Sequence, residues 1–447
     1  MKRILIYSIL VVFVVSMALF GISCKAEAVE EAEEEVAEVI EEAEEEVAKE
    51  EAGEIITLRL MMFPDNPPDE EFYDILITEY EELSPNIKIE RESVPWNNFQ
   101  EKLMPQIMAE TPPDIARVSS QWGGSYAAMG ALADLSEFIT QEDIDKFQSG
   151  RWVTCLYEDK PFGLPETSIA IAMWYNKTAI EEAGIELPES ADSAWTWDEF
   201  KEAAKTVQDK TGIEYGFDVY KSFFPYLAWI YSGGGQLLGE DLKTPEINNE
   251  KSVEAVKYLT DIYAEGISPV TTPASGDPDA AQKLFQAGKV AFYYSGVWLT
   301  STFVDAIKDF EFGATYLPMK AGEDPATNAS GENLIIFNKS EHIKEAYDFI
   351  SWFTNKENSE RHLGYANLLS PRLDTSPVYE VRPDILEVFG NQAAMLKIQW
   401  AKEAHISEFS EITPSLMDNL VLALTGKMDA QNAMDIVADE VNTIMAE

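Results

Sequence analysis

Eighty of the 447 residues are Asp or Glu. Two carboxylates at the right separation can cleave a glycoside, one as acid and one as base or nucleophile. In a chain this acidic such pairs arise by chance, so spacing singles none out. The three histidines, His342, His362 and His405, show no metal-ligand spacing and read as surface or satisfied core residues. The two cysteines, Cys24 and Cys155, are too few for a disulfide framework or a thiolate cluster. Neither a Gly-x-Ser-x-Gly elbow nor a His-Glu-x-x-His pair occurs. The sequence therefore predicts no enzyme, no metal site and no cofactor. What remains is recognition chemistry, in which hydrogen-bonding side chains sit beside aromatic ones. Asp65-Asn66 and Gln121-Trp122 are two such pairs, and Arg372, after Pro371, offers a planar donor fork for hydroxyls or a carboxylate.

Those residues matter because of where the surrounding elements must place them. Ile55–Phe63 reads as a strand, Glu70–Glu82 as a helix with apolar residues at helical spacing, and Ile87–Val94 as an alternating second strand. Asn98–Glu110 reads as a second helix and Ile115–Val118 as a third strand. This βαβαβ order predicts a parallel sheet covered by helices, whose ligands sit beyond the carboxyl ends of the strands. Asp65 and Asn66 follow the first strand, and Gln121 and Trp122 follow the third. Neither loop carries a phosphate-cradling glycine pattern. Further along, Ile169–Tyr175 is an apolar strand, and Thr196 with Glu199 forms a capping box at a helix start. Phe285–Trp298 joins a helix end, a glycine turn and a strand. Leu334–Phe337 reads as a strand, Glu341–Phe353 as a helix, and the last seventy residues as helices.

The net charge is -47. A nucleic-acid partner needs a basic face to displace counterions, so that class is excluded. Two further features lie at the N-terminus. Met1-Lys2-Arg3, an apolar run over Ile4–Phe20 and then Gly21-Ile22-Ser23-Cys24 follow the pattern of a secretory signal. Residues 25–54 hold fifteen Glu and two Lys and contain Glu-Glu-Ala-Glu-Glu-Glu-Val-Ala twice, at 30–37 and 41–48. The eleven-residue period suits a charged, helical spacer. With leader and spacer removed, the body still carries -36, which keeps a cationic ligand in view.

Four segments of the body carry a resemblance to a known family. One runs from Gly163-Leu164-Pro165 to Tyr175-Asn176-Lys177, followed by Thr196-Trp197-Asp198-Glu199-Phe200. A second is Phe285-Gln286-Ala287-Gly288-Lys289-Val290-Ala291-Phe292 with Ser295-Gly296-Val297-Trp298. A third is Ser330-Gly331-Glu332-Asn333 leading into Lys344–Ile350, and the last is Ser370-Pro371-Arg372. In this order, over nearly all of 55–447, the chain resembles the family-one extracellular solute-binding proteins of ABC importers, the group that includes maltose-binding protein. The start resembles a bacterial lipoprotein signal. Ser23 and Cys24 match its lipobox, while Gly21 stands where Leu is usual.

The resemblance implies a two-lobed α/β fold of the type II periplasmic-binding-protein kind, with mostly parallel sheets flanked by helices and three inter-lobe crossovers. Residues 1–23 would be a signal peptide and 24–54 the spacer. Residues 55–165 plus 318–365 would form the first lobe, and 166–317 plus 366–447 the second. Crossovers are expected near Pro165, Leu317 and 363–372. The family's role implies a receptor that closes on a solute and delivers it to an ABC importer permease, held outside the cytoplasm by lipid on Cys24, with a monomeric body. By the resemblance, Trp298 stacks on a sugar, Glu166 and Thr167 face the cleft, Phe223 and Tyr226 supply cleft aromatics, and Glu332 lies on the second crossover. A pyranose fits such a set, because its C–H face suits an aromatic ring and its hydroxyls suit carboxylates and Arg. A mono- or oligosaccharide is thus the leading ligand. A cationic solute such as a polyamine, or a surface adhesion role without transport, are the alternatives.

Overall fold

The computed structural model describes residues 55–327 and 330–446. The signal peptide, Cys24 and the acidic repeat lie outside the described residues. From Thr57 onward the chain forms one compact unit. No helix among the described residues is long and apolar enough to cross a membrane.

The opening alternation folds as its periodicity requires. Strand β1 (Ile56–Met62) leads to helix Pro67–Leu83, strand β2 (Ile87–Ser93), helix Trp96–Met108 and strand β3 (Ile115–Ser119). The helix Pro67–Leu83 starts where Asn66 accepts from the Asp69 amide and proline occupies the first turn, where its missing N–H costs nothing. A short hairpin, β4 (Leu156–Tyr157) and β5 (Lys160–Pro161), precedes β6 (Gly163–Pro165). The chain then builds a second sheet from β7 (Ile171–Asn176), β8 (Tyr215–Val219), β9 (Val290–Gly296) and β10 (Phe312–Thr315). It returns to the first sheet with β11 (Glu332–Ile336).

The first sheet has the order β2-β1-β3-β11-β6 and the second β10-β7-β9-β8. Parallel pairing joins β1 to β3 and β8 to β9, as helical crossovers require. The strands that return after crossing pair antiparallel: β11 against β3 and β6, and β7 against β9 and β10. The sheets are therefore mixed, and the expected parallel character belongs to the βαβ parts of each.

Two sheets with separate cores make two lobes. The first core gathers Met61, Phe63, Phe99, Val118, Trp122 and Phe337. The second gathers Phe200, Phe217, Trp229, Phe292 and the C-terminal helices through Phe409, Leu416 and Val437. The capping box at Thr196 and Glu199 forms with both halves in place. Trp400 is buried and stacks on Tyr231 at 4.7 Å. Cys155 is a buried free thiol, which burial pushes up to about 12.

Three chain segments cross between the lobes side by side. The Glu166 amide donates to the Glu332 carbonyl (2.9 Å), Ser168 to Leu369 (2.8 Å) and Ile169 to Ser330 (2.9 Å). Arg151 fastens the first two segments. Its Nε donates to the Thr167 carbonyl (3.1 Å), and its Nη2 to the Glu332 carbonyl (3.2 Å) and Asn333 Oδ1 (2.8 Å). Gly331, at φ 153°, presses on this guanidinium so closely that a Cβ would fall 2.7 Å from its carbon. The second crossing thus lies at 330–332, later than the expected Leu317. The reason is local: Met319 and Lys320 still bond to the second lobe, at the Trp195 and Ser232 carbonyls.

Candidate functional site

The carboxyl ends of β1, β2, β3, β8 and β9 converge on one cavity of about 210 Å³. From the first lobe come Phe63, Pro64 and Asp65 after β1, Trp96 and Asn97 after β2, and Ser119 at the end of β3. Ser330 and Glu332 join them from the second crossing. From the other side come Ile169 before β7, Tyr220, Ser222 and Phe224 after β8, Asp279 before helix Ala280–Gln286, and Trp298 after β9. Three roomier hollows lie elsewhere: two, of about 670 and 450 Å³, against helices at the surface, and one, of about 250 Å³, along the flanks of β1 and β2. Position favours the smallest of the four, since open α/β sheets bind beyond their strand ends.

Aromatic faces dominate the second-lobe wall. Trp298 is half-buried and meets Tyr220 edge-on at 5.6 Å. The indole lies across Gly296, where a Cβ would fall 1.7 Å from the ring. Only glycine leaves room for the ring in that position.

The first-lobe wall is built on charge. Arg117, fully buried on β3, donates to Asp65 (Nη2, 2.7 Å), Glu166 (Nε, 2.6 Å) and the Phe63 carbonyl (Nη1, 2.5 Å). Asp69 stands 3.5 Å and Glu332 3.9 Å from the same guanidinium. Tyr73 donates to Glu166 at 2.7 Å, and His362 Nε2 lies 2.6 Å from Asp69. The Thr167 hydroxyl bonds the Glu332 carboxylate and accepts from the Glu332 amide. Buried charges survive only when paired and hydrogen-bonded in this way.

Four carboxylates share one guanidinium, so they do not all ionise alike. Burial, then the nearby Asp65 charge, raises Glu332 to about 8. Burial raises Asp65 to about 6 against the pull of Arg117. Burial would raise Asp69 too, but Arg117 and His362 together hold it below the usual carboxylate range. Asp69, Glu166 and His362 also come close enough together to suggest a metal triad. Their donor atoms are already engaged by Arg117, Tyr73 and one another, so the set reads as a charge network.

The structure sorts the sequence candidates by place. Asp65, Glu332 and Trp298 line the cavity together. Glu166 and Thr167 sit one layer behind, gripping Arg117 and Glu332. Asn66 is a helix cap whose amide donates to the Ala366 carbonyl at 2.9 Å. Trp122 is a core residue between Phe63 and Phe99, and Gln121 is buried beside Ser119. Phe223 packs on Phe409 and Tyr226 is buried in the second core, whereas the neighbouring Phe224 faces the cavity. Arg372 forks onto Asp374 and donates to the Thr354 carbonyl, away from the cavity.

Four wall residues and the arginine behind them carry readable signals of their own in the sequence. Trp96 and Asn97 follow the second strand, as Asp65 follows the first. Tyr220 and Phe224 follow β8. Arg117 is a lone charge within an apolar strand, a pattern that calls for buried partners.

Residues 64–360 match the family model described as bacterial extracellular solute-binding protein. The chain belongs to this family. The arabinooligosaccharide-binding protein of Halalkalibacterium halodurans is 22% identical to it over 355 residues, covering 77% of this chain and 78% of that protein. The maltotriose-binding protein of Pyrococcus abyssi is 26% identical over 327 residues, covering 70% and 68%. Among solved structures, an ABC substrate-binding protein from Listeria monocytogenes in complex with cycloalternan superposes with a TM-score of 0.77 at 22% identity, covering 88% of this chain and all of that one. That likeness establishes the two-lobed fold. Both of these relatives of the solute-binding protein are named as binding proteins, which places the family's work in capture.

Proposed function

We propose that this chain is a non-catalytic, extracytoplasmic receptor that captures a carbohydrate between its lobes and delivers it to an ABC importer permease. The observation that carries the reading is the cavity wall. Trp96, Tyr220, Phe224 and Trp298 offer faces for sugar C–H groups, and Asp65, Glu332, Ser119 and Ser330 offer hydrogen-bonding groups. The likeness to an arabinooligosaccharide-binding and a maltotriose-binding protein supports it.

The three adjacent crossings supply the moving part. A hinge made of a few short segments lets ligand bias an open–closed equilibrium, and the permease reads the closed form. Lipid on Cys24, followed by the acidic spacer, would tether the monomeric body at the membrane. The test is a thermal-shift screen against mono- and oligosaccharides. A ligand at 100 times its Kd should add about 2.7 kcal/mol of stability by mass action. Trp298→Ala should abolish the shift for the sugar that gives it. A screen in which no sugar shifts the transition sinks the proposal.

A further inference from the structure

The cavity has an unbalanced inventory. Three carboxylates line it, Asp65 and Glu332 on one side and Asp279 on the other, and no Lys, Arg or His does. The nearest counter-charges are committed elsewhere. Arg117 is buried behind the wall and shared among Asp65, Asp69, Glu166 and Glu332. Arg151, behind Glu332, spends its donors on carbonyls, Thr154 and Asn333. On the second lobe Lys221 donates to the Ser275 carbonyl and Lys283 pairs with Asp277, leaving Asp279 without an ion pair among the described residues. Around these carboxylates stand the faces of Trp96, Tyr220, Phe224 and Trp298. Aromatic faces and anions attract the same kind of group, a cation.

We infer that the carbohydrate taken by this cleft carries a protonated amino group, which sits among Asp65, Glu332 and Asp279 while the sugar ring lies against the aromatic wall. The inference rests on the cleft being the carbohydrate site. A neutral sugar would leave Asp279 without an ion pair, while Asp65 and Glu332 still divide one guanidinium with Asp69 and Glu166. An ammonium group on the ring supplies a counter-charge and uses the cation–π potential of Trp298 and Tyr220 as well. The crowding of carboxylates shows at Glu332, which burial and the Asp65 charge raise to about 8. A cation beside Glu332 favours its ionised form, so binding releases a proton.

Calorimetric titration of the purified chain at pH 6.5, in two buffers of different ionisation heat, tests this. The probes are glucosamine, galactosamine, the β-1,4-linked glucosamine disaccharide, its N-acetylated counterpart and putrescine. The expected result is that an amine-bearing sugar binds at least tenfold more tightly than its N-acetylated form and releases protons. High salt should shrink that ratio, and Asp279→Asn and Glu332→Gln should each lower it at least threefold. Equal or tighter binding of the acetylated form, failure of every amine-bearing sugar to bind, or a ratio unmoved in both variants would overturn the inference. Tight binding of acetylated or other neutral sugars leaves carbohydrate capture standing. A response to putrescine with none to any sugar removes carbohydrate capture itself.

Discussion

The two walls of the cleft are built on opposite physical principles. The first-lobe wall is an ion network fixed before any ligand arrives. Arg117 holds Asp65 and Glu166 at hydrogen-bond distance and stands near Asp69 and Glu332, with the guanidinium itself fully buried. The second-lobe wall is a set of rings, Tyr220, Phe224 and Trp298, held by packing and by the space that Gly296 leaves. The network orients acceptors and stakes folding stability on staying paired. The rings supply apolar area and leave folding largely alone. Substitutions in the ion network should therefore register in stability, and those of rings that face the cavity in affinity.

The largest effect should come from Arg117→Met. It leaves buried carboxylates without their cation and should cost ~3–5 kcal/mol of unfolding free energy, read from urea transitions at pH 7. Acid should recover part of the loss, because the carboxylates then become neutral. A cost below about 1 kcal/mol would break the contrast between the walls, since such values belong to exposed pairs.

Trp122→Ala and Trp96→Ala sharpen the same contrast within one wall. Trp122 is core, so its truncation should cost ~3–5 kcal/mol of stability. Trp96 is 37% exposed and lines the cavity. Its truncation should weaken ligand binding by about 1–2 kcal/mol and barely move the unliganded melting temperature.

The pH dependence of stability has a definite sign. Glu332 rises from an ordinary 4.5 to about 8 on folding. Between those values the folded chain keeps a proton that the unfolded chain has lost, so stability falls as pH rises through the window. Asp65 adds the same trend between 3.8 and about 6, and Asp69, held low, contributes the opposite one in acid. From pH 5 to pH 8 the wild type should lose ~1–3 kcal/mol more than Glu332→Gln does. Parallel profiles for the two proteins would mean that Glu332 ionises normally in the folded state.

The smallest effect belongs to Arg372→Ala. Its fork is spent on the partly exposed Asp374 and on the Thr354 carbonyl. Stability should fall by about 0.5–1 kcal/mol, and ligand affinity should stay within twofold. A tenfold loss of affinity would place Arg372 at the ligand after all.

How far the sequence could be read follows from the range of the forces involved. The strand and helix starts were legible because capping and periodicity are local, as at Asn66, Thr196 and β1 to β3. The strand ends marked the cavity's neighbourhood, which is how Asp65 was found. Which of two adjacent residues faces inward is a matter of rotation at a helix start, and there Phe224, not the expected Phe223, lines the cavity. Trp122 and Trp96 differ in the same way, since one ring packs behind the other at 5.5 Å. The network around Arg117 was invisible in outline, because its partners at 65, 69, 166 and 332 are joined only by tertiary folding.

Hydrogen exchange with and without the sugar selected by thermal shift tests the two-walled cleft most directly. Ligand-dependent protection is expected at the segments after β1, β2, β8 and β9, on both walls at once, with more at the crossings 166–169 and 330–332. Protection confined to one wall, or centred on the surface groove beside Tyr365 and Val378, would contradict it.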